Sequence, residues 1–259
     1  MRPAYYRKRK RTKIRGILIV ICSLFLILLA GFFLFPIFKI KTIEITGNKE
    51  IKAEEIRNIL NYKNIFLATK EKIKSDLIKK FPLIAELEIK TNLVKRKVEI
   101  NLKEREEFGI VCQAEKIKQE NVEIEQIKEC FYIDKEGIIF EDALQTSGSL
   151  IILIKDYSGR DYRIGDNIFK ENIINFIAEA EDFLLSEVNI KVMDFNNLSF
   201  PPDDLKVITG EGWYILFNLQ KEARNQLLAL KAVLDEKVKD KRQTLQYVDL
   251  RIENRVYYK

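Results

Sequence analysis

The distribution of apolar residues changes character at Lys39. Before it, Gly16 to Phe38 form an unbroken run of 23 uncharged positions. As a helix at about 1.5 Å per residue this run is roughly 34 Å long, enough for a hydrocarbon core of about 30 Å. A cleavable signal peptide has a shorter apolar core and a small-x-small end. Here the run ends in bulky Phe32, Phe33, Leu34 and Phe35. The pattern therefore predicts one uncleaved transmembrane helix over 16–38.

After Lys39 the apolar positions come in short periodic blocks. Phe38 to Thr46 reads as a strand whose phase slips between Ile40 and Ile43, and Gly47-Asn48 as a turn. Ala53 to Tyr62 reads as a helix with Ile56, Ile59 and Leu60 on one face, although Lys52-Ala53 provide no capping side chain. Thr69 to Lys80 reads as a second helix, with Ile73, Leu77 and Ile78 together and Pro82 as its stop. Leu83 to Lys90 and Lys97 to Lys103 read as strands, the latter alternating strictly through Val98, Ile100 and Leu102. Strand, helix, helix, strand, strand makes a small two-layer α+β unit.

Beyond Phe108 strands dominate. Phe108 to Cys112 and Cys130 to Ile133 read as short strands around a polar segment, followed by a turn at Asp134–Gly137 and a return through Ile138 to Phe140. Leu150 to Lys155 reads as a buried strand, and Lys170 to Leu185 as a helix with Ile173, Ile177, Ala180 and Leu184 in step. Lys191 to Asn196, Leu205 to Thr209 and Trp213 to Asn218 read as strands, with Gly210-Glu211-Gly212 as a turn. Lys221 to Val238 reads as the longest outer helix, with Ala223, Leu227, Leu230, Leu234 and Val238 on one side. Leu245 to Ile252 and Val256 to Lys259 read as closing strands around a Glu253-Asn254 turn. The expected domains are a cytoplasmic tail (1–15), a membrane helix (16–38), a β-α-α-β-β domain (39–105) and a strand-rich α+β domain with two helices (106–259).

Charge orients this arrangement. Of 45 basic side chains, eight (Arg2, Arg7, Lys8, Arg9, Lys10, Arg11, Lys13 and Arg15) lie in residues 1–15, which hold no acid. The remaining 37 face 39 acidic residues, so the rest of the chain is near neutral. Basic residues flanking a span mark its cytoplasmic side. The expected topology has the N-terminus in the cytoplasm and residues from Lys39 onward outside, with the tail able to lie on anionic lipid. A near-neutral folded part gives no reason to expect a nucleic-acid partner.

Catalytic chemistry finds little support. The sequence has no histidine, which removes Ser-His-Asp and Cys-His arrangements and the commonest metal ligand. There is no Walker loop, and the two outer cysteines fall short of a four-ligand zinc site. The acidic pairs Glu54-Glu55, Glu106-Glu107 and Asp203-Asp204 read as solvated charge. No catalytic, cofactor or metal residue is expected, and the protein reads as a non-enzyme. Cys112 and Cys130 would lie in a compartment that permits disulfides. They either pair across neighbouring strands or stay as two buried thiols.

The blocks resemble the FtsQ/DivIB family of bacterial division proteins. Ile43-Glu44-Ile45-Thr46-Gly47-Asn48 resembles its opening strand and turn, and Glu54-Glu55-Ile56 its first helix. Asn64-Ile65-Phe66, Phe81-Pro82-Leu83-Ile84 and the segment from Val98 to Glu104-Arg105 are similar to later motifs of its POTRA domain. Tyr132-Ile133-Asp134 with Gly137 and Phe140 resembles the start of its β domain, and Tyr247-Val248-Asp249-Leu250-Arg251 a motif near its C-terminus. The chain departs from the pattern at Lys52-Ala53, where Ser or Thr is usual, and at Glu106, where proline is common.

The resemblance implies a non-enzymatic scaffold at the division septum, in the cell membrane. It implies binding to FtsB- and FtsL-type bitopic proteins and other divisome members, and help in regulating septal peptidoglycan synthesis. It also implies that the last strands offer an edge to a partner. A terminal strand at Val256-Tyr257-Tyr258-Lys259 would suit β-augmentation. Tyr257 and Tyr258 would add contact area, or cover the domain's own core, one facing in and one out. Tyr247 belongs to the same edge. Asp249 and Arg251 belong to it too, and read chiefly as supporting a turn or ion pair near the domain end. The competing readings are a membrane-anchored POTRA protein of envelope assembly or secretion, and a cell-wall enzyme with an unfamiliar carboxylate site.

Overall fold

A computed structural model describes residues 16–28, 31, 39–60, 65, 69–119, 122–147, 150–199, 202–253 and 255–259. The basic tail, positions 29, 30 and 32–38 of the apolar run, Asn61, Tyr62, Asn64, Phe66 and Asn254 lie outside the described residues. Two compact units divide between Glu104 and Arg105. Ahead of the first sheet, residues 16–28 are helical, and Ile17, Leu18, Ile19, Val20, Ile21 and Leu24 through Leu28 expose more than half their surface. No helix among the described residues is long and apolar enough to cross a membrane; helix 16–28 is only part of the run.

The first unit contains β1 (Thr42–Thr46), α1 (Ala53–Ile59), α2 (Lys70–Lys80), β2 (Ile84–Asn92) and β3 (Lys97–Glu104). β3 is central, parallel to β1 and antiparallel to β2. The alternation of β3 buries Val98, Ile100 and Leu102 against Ile56, Leu60, Ile73 and Leu77 of the helical layer. Ile78 is an exception: it is 41% exposed, one position off the buried 73/77 stripe. α1 has no side-chain cap, but Glu54 and Glu55 in its first turn suit its positive end. Thr69 caps α2, accepting from the Lys72 N–H at 3.3 Å. The β1 strand starts at Thr42, later than Phe38, because pairing with β3 begins at Thr42–Lys97.

Glu104 closes this unit. Its carboxylate accepts the backbone N–H groups of Lys49 (2.9 Å), Glu50 (2.9 Å) and Ile51 (3.0 Å). Burial pushes the Glu104 carboxyl up, but the three donors outweigh that and hold it below the usual range.

In the second unit nine strands form one sheet among the described residues, in the order β12-β11-β10-β9-β8-β7-β4-β5-β6. They are β4 (Gly109–Gln119), β5 (Val122–Ile133), β6 (Ile139–Ala143), β7 (Ile152–Asp156), β8 (Val192–Asn197), β9 (Asp204–Thr209), β10 (Tyr214–Asn218), β11 (Tyr247–Asp249) and β12 (Tyr257–Tyr258). Two helices, α3 (Glu171–Ser186) and α4 (Ala223–Val233), join this sheet in one core. Ile173, Ile177, Ala180 and Leu184 of α3 and Leu227 and Leu230 of α4 are buried with Ile154, Phe195, Val207, Phe217 and Val248 of the strands.

Several expected elements change here. The short strands at 108–112 and 130–133 are the base of one long β4–β5 hairpin. Its polar stretch pairs in register, Lys116 opposite Glu125, Ile117 opposite Ile124 and Lys118 opposite Glu123, and opposite charges across strands favour such pairing. The strand expected from Leu150 starts at Ile152, and Leu150 is fully exposed. The long helix ends at Val233. A π turn, Leu234–Val238, then keeps both Leu234 and Val238 buried before a 3-10 segment, Lys239–Thr244. Trp213 lies just ahead of β10, its indole N–H donating to Glu211 at 3.0 Å. The strand expected over 245–252 pairs only at Tyr247–Asp249, because the Arg251 N–H turns back to Asp249 Oδ1 at 3.0 Å.

Candidate partner-binding edge

The C-terminal segment forms one rim of the large sheet. β11 lies parallel to β10 on its inner side, and β12 is antiparallel to it on the outer side. Val248 opposes Tyr258, and Asp249 opposes Tyr257. Tyr258 therefore shares the helix-covered face with Val248, and Tyr257 the opposite face with Asp249. Tyr257 is 44% exposed and Tyr258 46%, so neither is a core residue. Val256 packs against the core from the same rim.

Backbone geometry sets what this rim can accept. Lys259 donates to the Tyr247 carbonyl at 3.2 Å, and Tyr247 donates to the Lys259 carbonyl at 3.4 Å. In an antiparallel pair the hydrogen-bonded positions alternate. The N–H and C=O of Tyr258, and of Val256 two residues earlier, are thus directed away from β11. Among the described residues no strand lies beyond β12.

Asp249 and Arg251 brace the rim from inside. Arg251 donates from Nε to Asp249 Oδ1 at 2.9 Å, from Nη2 to Asp249 Oδ2 at 2.7 Å and from Nη1 to Asp204 Oδ2 at 2.8 Å. The Arg251 guanidinium, more than the opposing effect of burial, holds the Asp249 carboxyl below the usual range. The Arg251 carbonyl accepts from Lys221 Nζ at 3.2 Å. Both side chains thus serve the edge as its internal support.

Tyr247 stacks on Tyr214 of β10, with ring centroids 5.7 Å apart and planes 21° from parallel. Lys206 of β9 lies 4.1 Å from the Tyr214 centroid. Burial, followed by the like charge of Lys116, pushes the Lys206 ammonium below the usual lysine range. Sequence reasoning missed Asp204 as an edge brace and this Lys206–Tyr214–Tyr247 stack. Period-2 alternation along β9 and β10 was the available signal. On the helix side, a groove of about 820 Å³ runs between α4 and the segment after β11. Ala229, Val233, Leu250, Ile252 and Val256 give it an apolar lining, to which Glu253 and Arg255 add charge.

Cys112 and Cys130, opposite one another on β4 and β5, are joined by a disulfide of S–S 1.98 Å and Cα–Cα 4.0 Å. They pack with Ile110 and Leu153. The bond lies where the hairpin leaves the sheet, since β7 pairs with β4 only as far as Gln113 and β6 with β5 only from Cys130. Of the acidic pairs, Asp204 is engaged by Arg251, and Asp203 accepts from the Gln220 amide at 3.1 Å.

Residues 38–105 match the family model described as POTRA domain, FtsQ-type. Over 187 residues the chain is 25% identical to the cell division protein DivIB of Clostridium tetani (strain Massachusetts / E88), covering 68% of this chain. The match spans 65% of that relative's length, just under two thirds. The chain is thus similar to bacterial cell division proteins of the FtsQ/DivIB type, through a POTRA domain of the FtsQ type and through this DivIB relative.

Proposed function

We propose that this protein is a single-pass membrane scaffold of the division machinery that binds a bitopic partner of the FtsB or FtsL type by adding a strand to β12. The observation that carries the reading is the direction of the Tyr258 backbone groups at the rim of the sheet. An added strand would bond to Val256 and Tyr258 through its main chain. Its alternate side chains would point toward the apolar groove beside α4 and toward the Tyr257 face. Tyr247, Asp249 and Arg251 would position the rim, while Val256, Tyr257 and Tyr258 would touch the partner.

The uncharged run 16–38 supports a membrane anchor, and the basic residues before it support a cytoplasmic N-terminus with both folded domains outside, at the septum. The division into a POTRA domain, 39–105, and a β domain, 106–259, belongs to this proposal. So does a non-enzymatic role in regulating septal peptidoglycan synthesis. The full chain in detergent should capture FtsB/FtsL-type proteins from the same genome. A chain ending at residue 254 and Tyr258→Pro, which removes an outward N–H at an edge, should lose that capture while still unfolding cooperatively. Undiminished capture by both variants would move the interface elsewhere.

A further inference from the structure

The turn between β2 and β3 has a composition its geometry does not require. Asn92 pairs with Lys97 at its base, and the Asn92 side chain accepts the Lys95 N–H at 2.9 Å. At the apex sit Leu93, 51% exposed, and Val94, 94% exposed. Turn apices favour Gly, Asn, Asp, Pro and Ser, for conformational reasons that Leu and Val do not satisfy. Neither residue belongs to the core of this unit.

The same turn touches the point where the chain enters the fold. The Arg96 carbonyl accepts the backbone N–H of Lys41 at 2.8 Å and of Thr42 at 3.4 Å. The uncharged run ends at Phe38, three residues before Lys41, and three residues reach at most about 11 Å. The headgroup layer on each side of a bilayer is roughly 5–8 Å deep. Residues 39–43 and 90–97 contain Lys39, Lys41, Lys90, Lys95, Arg96 and Lys97 and no acid. Lys90 is paired with Glu88 and Lys97 with Glu44 and Glu99. Lys39, Lys41 and Lys95 are exposed at this end.

We infer that the Asn92–Arg96 turn is a membrane-contacting element, with Leu93 and Val94 seated in the lipid headgroup layer and Lys39, Lys41 and Lys95 facing lipid phosphates. Apolar side chains ringed by cations suit an anionic bilayer surface. The contact would add a second fixed point to the chain's entry and so set the orientation of the first unit on the membrane. The inference rests on reading 16–38 as a membrane anchor.

The test uses the full chain with Cys22→Ser, reconstituted into phosphatidylcholine/phosphatidylglycerol vesicles. An environment-sensitive fluorophore is placed at Val94→Cys, or at Glu50→Cys as reference. Glu50 follows the far end of β1, about 20 Å away along the strands. Lipids spin-labelled at the headgroup and at a shallow acyl position act as quenchers, and flotation in alkaline carbonate reports insertion. The probe at 94 should emit at shorter wavelength and lose most of its emission to lipid-borne quenchers, while the probe at 50 loses none. Equal, weak quenching at both positions in chains that float would overturn the membrane contact and leave the anchor standing. Chains that fail to float would overturn the anchor reading, and the contact with it.

Discussion

Arg251 holds Asp249 through two hydrogen bonds, at 2.9 and 2.7 Å, and spends its remaining donor arm on Asp204 at 2.8 Å. One guanidinium thus links β9 to the segment just past β11, 47 residues apart in sequence. Arg251→Ala should lower the stability of the second unit by about 1 kcal/mol, the upper end for partly exposed ion pairs, because the fork on Asp249 is bidentate and Asp204 extends it into a network. Arg251→Lys should rescue little of this, because an ammonium cannot reproduce the planar fork. Urea denaturation checks both. An unchanged midpoint for Arg251→Ala would show that the pair is ornamental.

Glu104 makes the first unit sensitive to acid. Its folded-state carboxyl lies below the usual range, so its contribution is present above the unfolded-state value, about 4.3. That contribution is lost as pH falls through the lower folded-state value. Glu104→Gln replaces an acceptor oxygen with a donor amide facing backbone N–H groups and should cost about 1–3 kcal/mol near neutrality. Unfolding midpoints of wild type and variant should converge as pH drops toward 3. Parallel curves would contradict the assignment.

The Cys112–Cys130 bond closes a loop of 18 residues. In the chain-entropy model such a loop contributes about 3 kcal/mol. A hairpin that leaves its sheet is marginal on its own, so the bond also fixes the register of the projecting part. Cys112→Ser/Cys130→Ser should lower the denaturation midpoint of the second unit, and should speed amide exchange beyond Ala114. Equal exchange in both forms would mean that the Lys116–Glu125 and Lys118–Glu123 pairs suffice.

Gly137 turns the chain after β5 at φ +76°, and a Cβ there would lie 2.1 Å from the Phe169 carbonyl oxygen. Strain at such a position costs about 1–3 kcal/mol before any clash is counted. Gly137→Ala should therefore be among the most damaging single-methyl changes in the second unit, which a thermal melt would reveal. A melting point within error of wild type would refute the close approach.

Legibility followed one-sided burial. Val98, Ile100 and Leu102 alternate in sequence and are all buried in the structure, so the β-α-α-β-β order could be read directly. The same held for Ile173, Ile177, Ala180 and Leu184 on α3. The β4–β5 hairpin was hidden because charged residues occupy both of its faces once it leaves the sheet. The end of α4 was hidden because Leu230, Leu234 and Val238 keep an i, i+4 spacing while the backbone changes to a π turn. At the edge, Tyr247, Asp249 and Arg251 were visible as a motif, but Asp204 and Lys206 reach them only through strand pairing. Period-2 alternation gives the face on which each of these side chains lies, but not which strands pair.

Amide hydrogen exchange at the C-terminal rim tests the central claim most directly. The full chain in detergent would be compared alone and with a saturating FtsB-type partner, resolving individual amides between residues 247 and 259. Strand addition to β12 predicts strong new protection at Val256 and Tyr258, whose N–H groups point outward, and little change at Lys259, which already bonds to Tyr247. Protection confined to other surfaces, with Val256 and Tyr258 exchanging as fast as in the free protein, would contradict it.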